Sequence, residues 1–292
     1  MKIALHGKPL TDGVSDLVKE IFKILNDSQT DIFISEAFKK HLSGSDIEAS
    51  QFPEFNNLFK NDQGIDVLIS IGGDGTLLNT VAFTGPSEIP ILGINTGRLG
   101  FLATSTRQKV KDAVENVLKG NWQTECRMLV QAECQRQLFD GMNFGLNEFS
   151  VLKQDTSSMI TVHTYLNGEF LNSYWSDGLI ISTPTGSTGY SLSCGGPVVM
   201  PASHNLILTP VSPHNLNVRP LVVSDQSEIT LKVETRSHYY LVSLDSRSEV
   251  LDASANITIK KAPFQARLIV SNDISFVDTL RKKLNWGYDV RN

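Results

Sequence analysis

The sequence predicts an α/β N-terminal domain built on a parallel sheet, followed by an all-β C-terminal domain. Two continuous apolar runs, residues 66–71 and 89–94, are each followed by a helical pattern, as in strands buried on both faces and joined by crossover helices. After about Trp122 that alternation stops. Short segments rich in β-branched residues take its place, as in antiparallel strands.

In chain order, residues 2–5 read as a strand. Val14, Leu17, Val18, Ile21, Phe22 and Leu25 then recur on one face of a helix. Residues 31–35 suggest a second strand. The polar stretch 36–62 suggests a short helix and a loop around 43–50. Residues 66–71 give a buried strand, a glycine turn and a helix from Leu77. Residues 89–94 repeat the strand, and Val110, Ala113, Val114, Val117 and Leu118 mark a further amphipathic helix. Residues 128–135, 160–166, 229–233, 239–244 and 257–260 read as antiparallel strands, with Asn167-Gly168 as a hairpin turn. Phe276, Val277, Leu280 and Leu284 outline a short closing helix.

Bulk properties narrow the function. The chain has 292 residues, of which 40% are hydrophobic and 20% charged, so disorder and fibrous repeats are excluded. Net charge is −5 with no block of Lys and Arg, which argues against a nucleic-acid binder. The three cysteines, Cys126, Cys134 and Cys194, have no metal-like spacing, and their odd number gives no disulfide framework. The N-terminal residues lack a signal-peptide core, and no run of about 18 apolar residues follows. The expectation is a cytoplasmic protein with no membrane partner.

The strongest chemical signal is Gly72-Gly73-Asp74-Gly75-Thr76, set where a buried strand turns into a helix. Glycines there permit positive φ and let backbone N–H groups approach a ligand, while the helix N-terminus favours negative charge. No Gly-Lys-Ser/Thr follows, so this is not a Walker A loop. The pattern by itself also fits a simple chain reversal. Asp74 favours chemistry, because a carboxylate inside a phosphate cradle repels its ligand unless it holds Mg²⁺ or accepts a proton.

A second glycine element, residues 93–102, follows the next strand, and Arg98 within it is a candidate phosphate contact or a solvated loop arginine. Asn147-Glu148 offers an amide and a carboxylate suited to base edges and ribose hydroxyls, or else forms a surface turn. Six Ser and Thr side chains from Ser182 to Ser191 offer hydroxyl donors with little bulk, as sugar, amide and phosphate groups require. His214 lies in a proline-rich turn where a structural hydrogen bond is the ordinary role, so no catalysis is assigned to it.

Taken together, residues 72–76, 95–102, 147–148, 177–190 and 212–220 resemble the bacterial NAD kinase family in order and context over about residues 66–290. Gly-Gly-Asp-Gly alone also occurs in related lipid kinases and resembles the phosphofructokinase turn; the joint pattern is far more specific. The resemblance implies an NAD kinase-like two-domain architecture. Residues 1–122 would be the nucleotide-binding domain and 123–272 the dinucleotide-binding domain, NAD lying between them, with 273–292 packing back on the first. It implies transfer of the γ-phosphoryl group of ATP to the adenosine-side 2′-hydroxyl of NAD, with Mg²⁺ or another divalent cation accompanying ATP but no dedicated protein metal cage.

By the same resemblance Asp74 is the catalytic base. Gly72, Gly73, Gly75, Thr76, Asn147, Glu148, Thr185, Thr188, Gly189 and Tyr190 are nucleotide and dinucleotide contacts, and Asp177 meets the ligand, either within its own subunit or across a subunit boundary of a homodimer or homotetramer. Two departures stand out. Gly189 replaces the family's usual Ala, and Asp245-Ser246-Arg247 replaces the usual Asp-Gly-Gln, which leaves the role of that turn open. A lipid or sphingoid-base kinase is the rival enzyme, disfavoured by the polar 147–148 and 183–190 elements. A non-catalytic dinucleotide sensor is the rival binding protein, disfavoured by Asp74.

Overall fold

A computed structural model describes residues 1–10, 13–58, 63–97, 100–102, 105–154, 158–270 and 275–286. The chain divides into two compact units, Met1–Cys126 with Ala266–Asn292, and Arg127–Gln265.

The first unit opens with β1 (Lys2–Gly7), α1 (Val14–Asp27), β2 (Asp31–Ser35), α2 (Glu36–Leu42) and β3 (Glu54–Phe55). It continues with β4 (Val67–Gly72), α3 (Asp74–Thr84), β5 (Ile91–Asn95), β6 (Ser105–Thr106) and α4 (Val110–Leu118). Strands pair in parallel in the order β5-β4-β1-β2-β3, with β6 also parallel to β5. Every residue of β4 and β5 is buried, which is why both read as unbroken apolar runs. The periodic face of α1 supplies Val14, Leu17, Val18, Ile21, Phe22 and Leu25 to one core. Helix α3 begins at Asp74, three residues before the position the sequence suggests. Of the glycines that look like a turn, Gly72 ends β4, Gly73 is the helix N-cap and Gly75 lies in the first turn.

The second unit contains β7 (Gln123–Glu133), which begins in the first unit, then β8 (Phe144–Gly145), β9 (Glu148–Lys153), β10 (Ile160–Leu166), β11 (Glu169–Ser176) and β12 (Gly178–Ser182). After the one-turn helix α5 (Tyr190–Ser193) come β13 (Asn205–Val211), β14 (Leu221–Ser224), β15 (Ile229–Glu234), β16 (Tyr239–Leu244), β17 (Arg247–Asp252) and β18 (Ile257–Val270), which ends in the first unit. One antiparallel sheet has the order β14-β13-β12-β9-β16-β17; a second antiparallel run is β11-β10-β15-β18. The β10–β11 turn is Asn167-Gly168 with φ of 52° and 83°, as the hairpin motif requires. A single core containing Phe149, Val151, Leu179, Ile181, Tyr240 and Val242 joins residues of both runs.

Strand β18 is longer than its apolar start suggests. Its last residues, Leu268 and Ile269, pair in parallel with Ile91 and Leu92 of the first unit's sheet. Helix α6 (Phe276–Leu284) follows, and Phe276 lies 6.2 Å from the ring of Phe101.

Candidate active site

In the first unit, β4 delivers the chain to Gly72 and α3 carries it away from Asp74. None of Gly72, Gly73 and Gly75 has positive φ, so left-handed backbone is not the reason for glycine here. A Cβ on Gly72 would lie 2.2 Å from Thr76 Oγ1, so this glycine admits the Thr76 side chain. Gly73 and Gly75 would meet nothing within 4 Å, and the space beside them is open to a ligand. The first amides of α3 face that space with the positive end of the helix dipole.

Asp74 is held from the side. Its Oδ2 accepts the backbone N–H of Phe101 at 2.8 Å, and its Oδ1 accepts that of Leu102 at 3.2 Å. Gly100 is a glycine because a Cβ there would lie 1.8 Å from Asp74 Oδ1. Each oxygen keeps a second lone pair for a proton or metal. The sequence suggests that Asp74 serves a ligand; the structure holds its carboxylate with two backbone amides. Arg98 lies outside the described residues.

In the second unit, Asn147 and Glu148 sit at the entry to β9, opposite the turn 183–190 that leaves β12. Thr183 joins the two: its N–H donates to Asn147 O at 2.8 Å and its Oγ1 to Leu146 O at 2.6 Å. Gly186 packs so closely that a Cβ would stand 2.1 Å from Asn147 O. Most of the loop's hydroxyls are hydrogen-bonded within the protein. Thr183 Oγ1 also accepts Gly186 N–H, Ser187 bonds Pro184 O and Val199 N–H, and Ser191 pairs with Thr209. Thr188 Oγ1 donates to Thr185 O at 3.3 Å, and Thr185 Oγ1 accepts from the buried Arg127 at 3.4 Å. Arg127 was not anticipated. Its signal was a guanidinium entering the apolar run Met128-Leu129-Val130.

Among the described residues, Asn147 Oδ1 and Glu148 Oε2 are buried with no hydrogen-bond partner in the protein. Such atoms are rare unless a ligand meets them. Burial, then the charge of Asp245, pushes the Glu148 carboxyl up to about 8, against a hydrogen bond from the Tyr190 amide. Glu148 therefore holds its proton at neutral pH and presents a neutral acid. Tyr190 is partly exposed, and burial together with the nearby Cys194, Asp177 and Glu148 raises its phenol. Asp177 forms an ion pair with Lys153 at 2.7 Å within the same chain. His214 is exposed, with its ring centroid 4.2 Å from that of Trp175 and its backbone N–H donating to Trp175 O.

The Glu148 environment predicts a pH effect on stability. Its folded-state value lies above the ordinary 4.5, so its favourable contribution is full below pH 4.5 and is lost as pH rises toward 8. Glu148→Gln removes that titration. The unfolding free energy of the variant should gain on the parent's between pH 5 and 8.5, by a difference on the order of a few kcal/mol at most. A constant difference across this range contradicts the assignment.

No group of three or more His, Cys, Asp or Glu placed to hold a metal occurs among the described residues. Asp74 beside the open glycine turn fits a cation that arrives on phosphate oxygens, since Mg²⁺ commonly takes one carboxylate and several phosphate or water ligands.

The chain matches two family models, the ATP-NAD kinase N-terminal domain over residues 3–122 and the ATP-NAD kinase C-terminal domain over residues 146–271. A protein named NAD kinase from Cytophaga hutchinsonii is 46% identical over 295 residues, covering 100% of both chains. One from Bacteroides fragilis is 42% identical over 292 residues, again covering 100% of both. Among solved structures, an NAD kinase from Archaeoglobus fulgidus in complex with ATP superposes with a TM-score of 0.73 at 28% identity, covering 98% of each chain. Yeast NADH kinase complexed with NADH superposes with a TM-score of 0.86, covering 99% of this chain and 88% of that one; at 20% identity the likeness is one of fold.

Proposed function

The chain belongs to the NAD kinase family, and we propose that its two units divide that family's reaction, the first handling phosphoryl transfer and the second the dinucleotide. The activity is transfer of the γ-phosphoryl group of ATP to the adenosine-side 2′-hydroxyl of NAD, giving NADP and ADP.

A ribose hydroxyl does not ionise at pH 7, so attack on phosphorus needs a base. Asp74 is that base in this reading, worth roughly 10²- to 10⁴-fold. The two amides that grip it set the direction of its free lone pairs. The open turn at Gly73 and Gly75, with Thr76 behind it, receives phosphate oxygens at the positive end of α3. A divalent cation, Mg²⁺ above all, supplies charge neutralisation on those oxygens when ATP is bound.

The observation that carries the dinucleotide half is the pair of buried oxygens without a protein partner, Asn147 Oδ1 as an acceptor and Glu148 Oε2 as part of a neutral acid. They recognise NAD, with Thr185, Thr188, Gly189 and Tyr190 shaping the opposite wall. Asp177, paired with Lys153 at the far end of β9 and β12 from those loops, takes its part through homodimer or homotetramer assembly. Cytoplasmic residence belongs to the same reading and is checked by cell fractionation; among the described residues no helix is long and apolar enough to cross a membrane.

The test is direct. Purified protein given NAD, Mg²⁺ and ATP should form NADP and ADP in equal amounts, and chelation of the cation should stop it. Run down to nanomolar protein, the same assay should show specific activity falling as subunits separate. Undiminished turnover with a chelator present removes the metal from the account, and full activity of a monomer removes the oligomer.

A further inference from the structure

The turn 245–246 between β16 and β17 lies almost a hundred residues from Asn147 in sequence, yet it holds that loop in place. Asp245 has φ 52°, in the left-handed region, and its side chain is buried against β9. Its Oδ2 accepts the N–H of Leu146 at 2.7 Å, and its Oδ1 accepts those of Asn147 at 2.8 Å and Glu148 at 3.2 Å. In return its own N–H donates to Glu148 O at 3.0 Å. Three successive amides converging on one anion form the kind of nest that proteins use for phosphates. Here a side chain of the protein itself fills it.

Arg247 extends the grip upstream. Its guanidinium donates to Phe144 O at 2.5 Å and to Met142 O, and it lies 5.8 Å and 5.9 Å from the rings of Phe139 and Phe144. Its charge also offsets the burial that raises the Asp245 carboxyl. Gly145 permits the close approach, since a Cβ there would lie 2.8 Å from Leu244 Cδ1 and 3.0 Å from Asp245 Cγ. Residues 142–148 are thus tied to the turn at six points of backbone. Asn147 Oδ1 and Glu148 Oε2 are left as side-chain oxygens without a protein partner.

We propose that Asp245 and Arg247 are positioning residues for the dinucleotide, a latch that fixes the 146–148 backbone so that Asn147 and Glu148 meet NAD without reordering. This rests on the reading that those two residues contact NAD. Arg rather than Gln at 247 suits the task, because its planar fork serves two carbonyls while carrying the charge that Asp245 needs. Preorganisation of this kind acts on binding, so its loss appears in dinucleotide affinity and not in ATP use.

Calorimetric NAD binding, with kcat and KM for NAD and for ATP, on Asp245→Asn, Arg247→Gln, Arg247→Lys and Glu148→Ala decides the matter. Asp245→Asn turns one accepting oxygen into a donor facing an amide, and should raise the NAD Kd and KM by about 10- to 100-fold. The ATP KM should stay within about twofold and kcat at saturating NAD within about threefold. Arg247→Gln should raise the NAD Kd by about 3- to 10-fold, and Arg247→Lys should not restore it, because an ammonium cannot span both carbonyls. A role in stability alone would lower the melting temperature of these variants and leave the NAD Kd of folded protein unchanged, which overturns the proposal. If Asp245→Asn does not fold, Arg247→Gln carries the same comparison, since it leaves the three amide bonds in place. Glu148→Ala separates the two levels. Unchanged NAD affinity in that variant overturns the contact reading and the latch with it, whereas weakened affinity there with none in the latch variants overturns the latch alone.

Discussion

Gly186→Ala should nearly abolish dinucleotide recognition while leaving the first unit folded. The added methyl would stand 2.1 Å from Asn147 O, 2.5 Å from its carbonyl carbon and 2.7 Å from its Cα. A carbon and a carbonyl oxygen need about 3.3 Å, so the turn 183–190 and the 147–148 loop must part by about 1 Å. Backbone stands on both sides, and no rotamer change relieves the contact. Thr183 then loses its bonds to Leu146 and Asn147. The expected cost is roughly 1–3 kcal/mol of stability from overpacking and about a 100-fold rise in the NAD KM from misplacement of Asn147 and Glu148. Gly189→Ala is the matched control. Its methyl would meet Glu148 Oε2 at 3.0 Å and Gly186 O at 3.2 Å, contacts that a shift of a few tenths of an ångström relieves, and its effect on NAD KM should stay below about tenfold. Steady-state kinetics on the two variants makes the comparison. A Gly186→Ala enzyme with an NAD KM within threefold of the parent would show that these two loops do not act together.

Much of this arrangement could be read from the chain. Strands β4 and β5 are buried on both faces, so their apolar runs are unbroken, and the period of Val14 to Leu25 gives α1 directly. The hairpin at Asn167-Gly168 and the helix at 276–284 follow from local rules of the same kind. What escaped was long-range. Nothing near Asn147 signals that Asp245 will cap three of its neighbouring amides, because the contact spans 97–99 residues. The glycines of 72–75 look alike in sequence, yet one is required by a threonine side chain and two border open space. Hydroxyl density in 182–191 suggests a ligand surface, whereas Thr183, Ser187 and Ser191 hold the loop's own backbone and neighbours. Glu148 reads as a carboxylate, and only its burial beside Asp245 makes it an acid that keeps its proton.

Asp74→Asn should have the largest effect on the chemical step. The substitution keeps the shape and removes the charge and the basic lone pairs. It also sets an NH₂ against the N–H of Phe101 or of Leu102, so the segment 100–102 loses a charge-assisted hydrogen bond and the fold about 1–3 kcal/mol. Turnover must therefore be counted per folded molecule. If Asp74 takes the proton from the 2′-hydroxyl, kcat falls by about 10²- to 10⁴-fold, a barrier higher by about 2.7–5.5 kcal/mol, whatever the metal concentration. If Asp74 chiefly held the cation, excess Mg²⁺ would restore much of the rate. If it only secured the 100–102 backbone, melting temperature would fall and kcat would not. The deciding measurement is kcat of folded Asp74→Asn at saturating Mg²⁺, taken beside the NAD Kd of the same sample. The account predicts a loss of at least about 100-fold in kcat with NAD affinity within about threefold of the parent; a kcat within tenfold of the parent would contradict it.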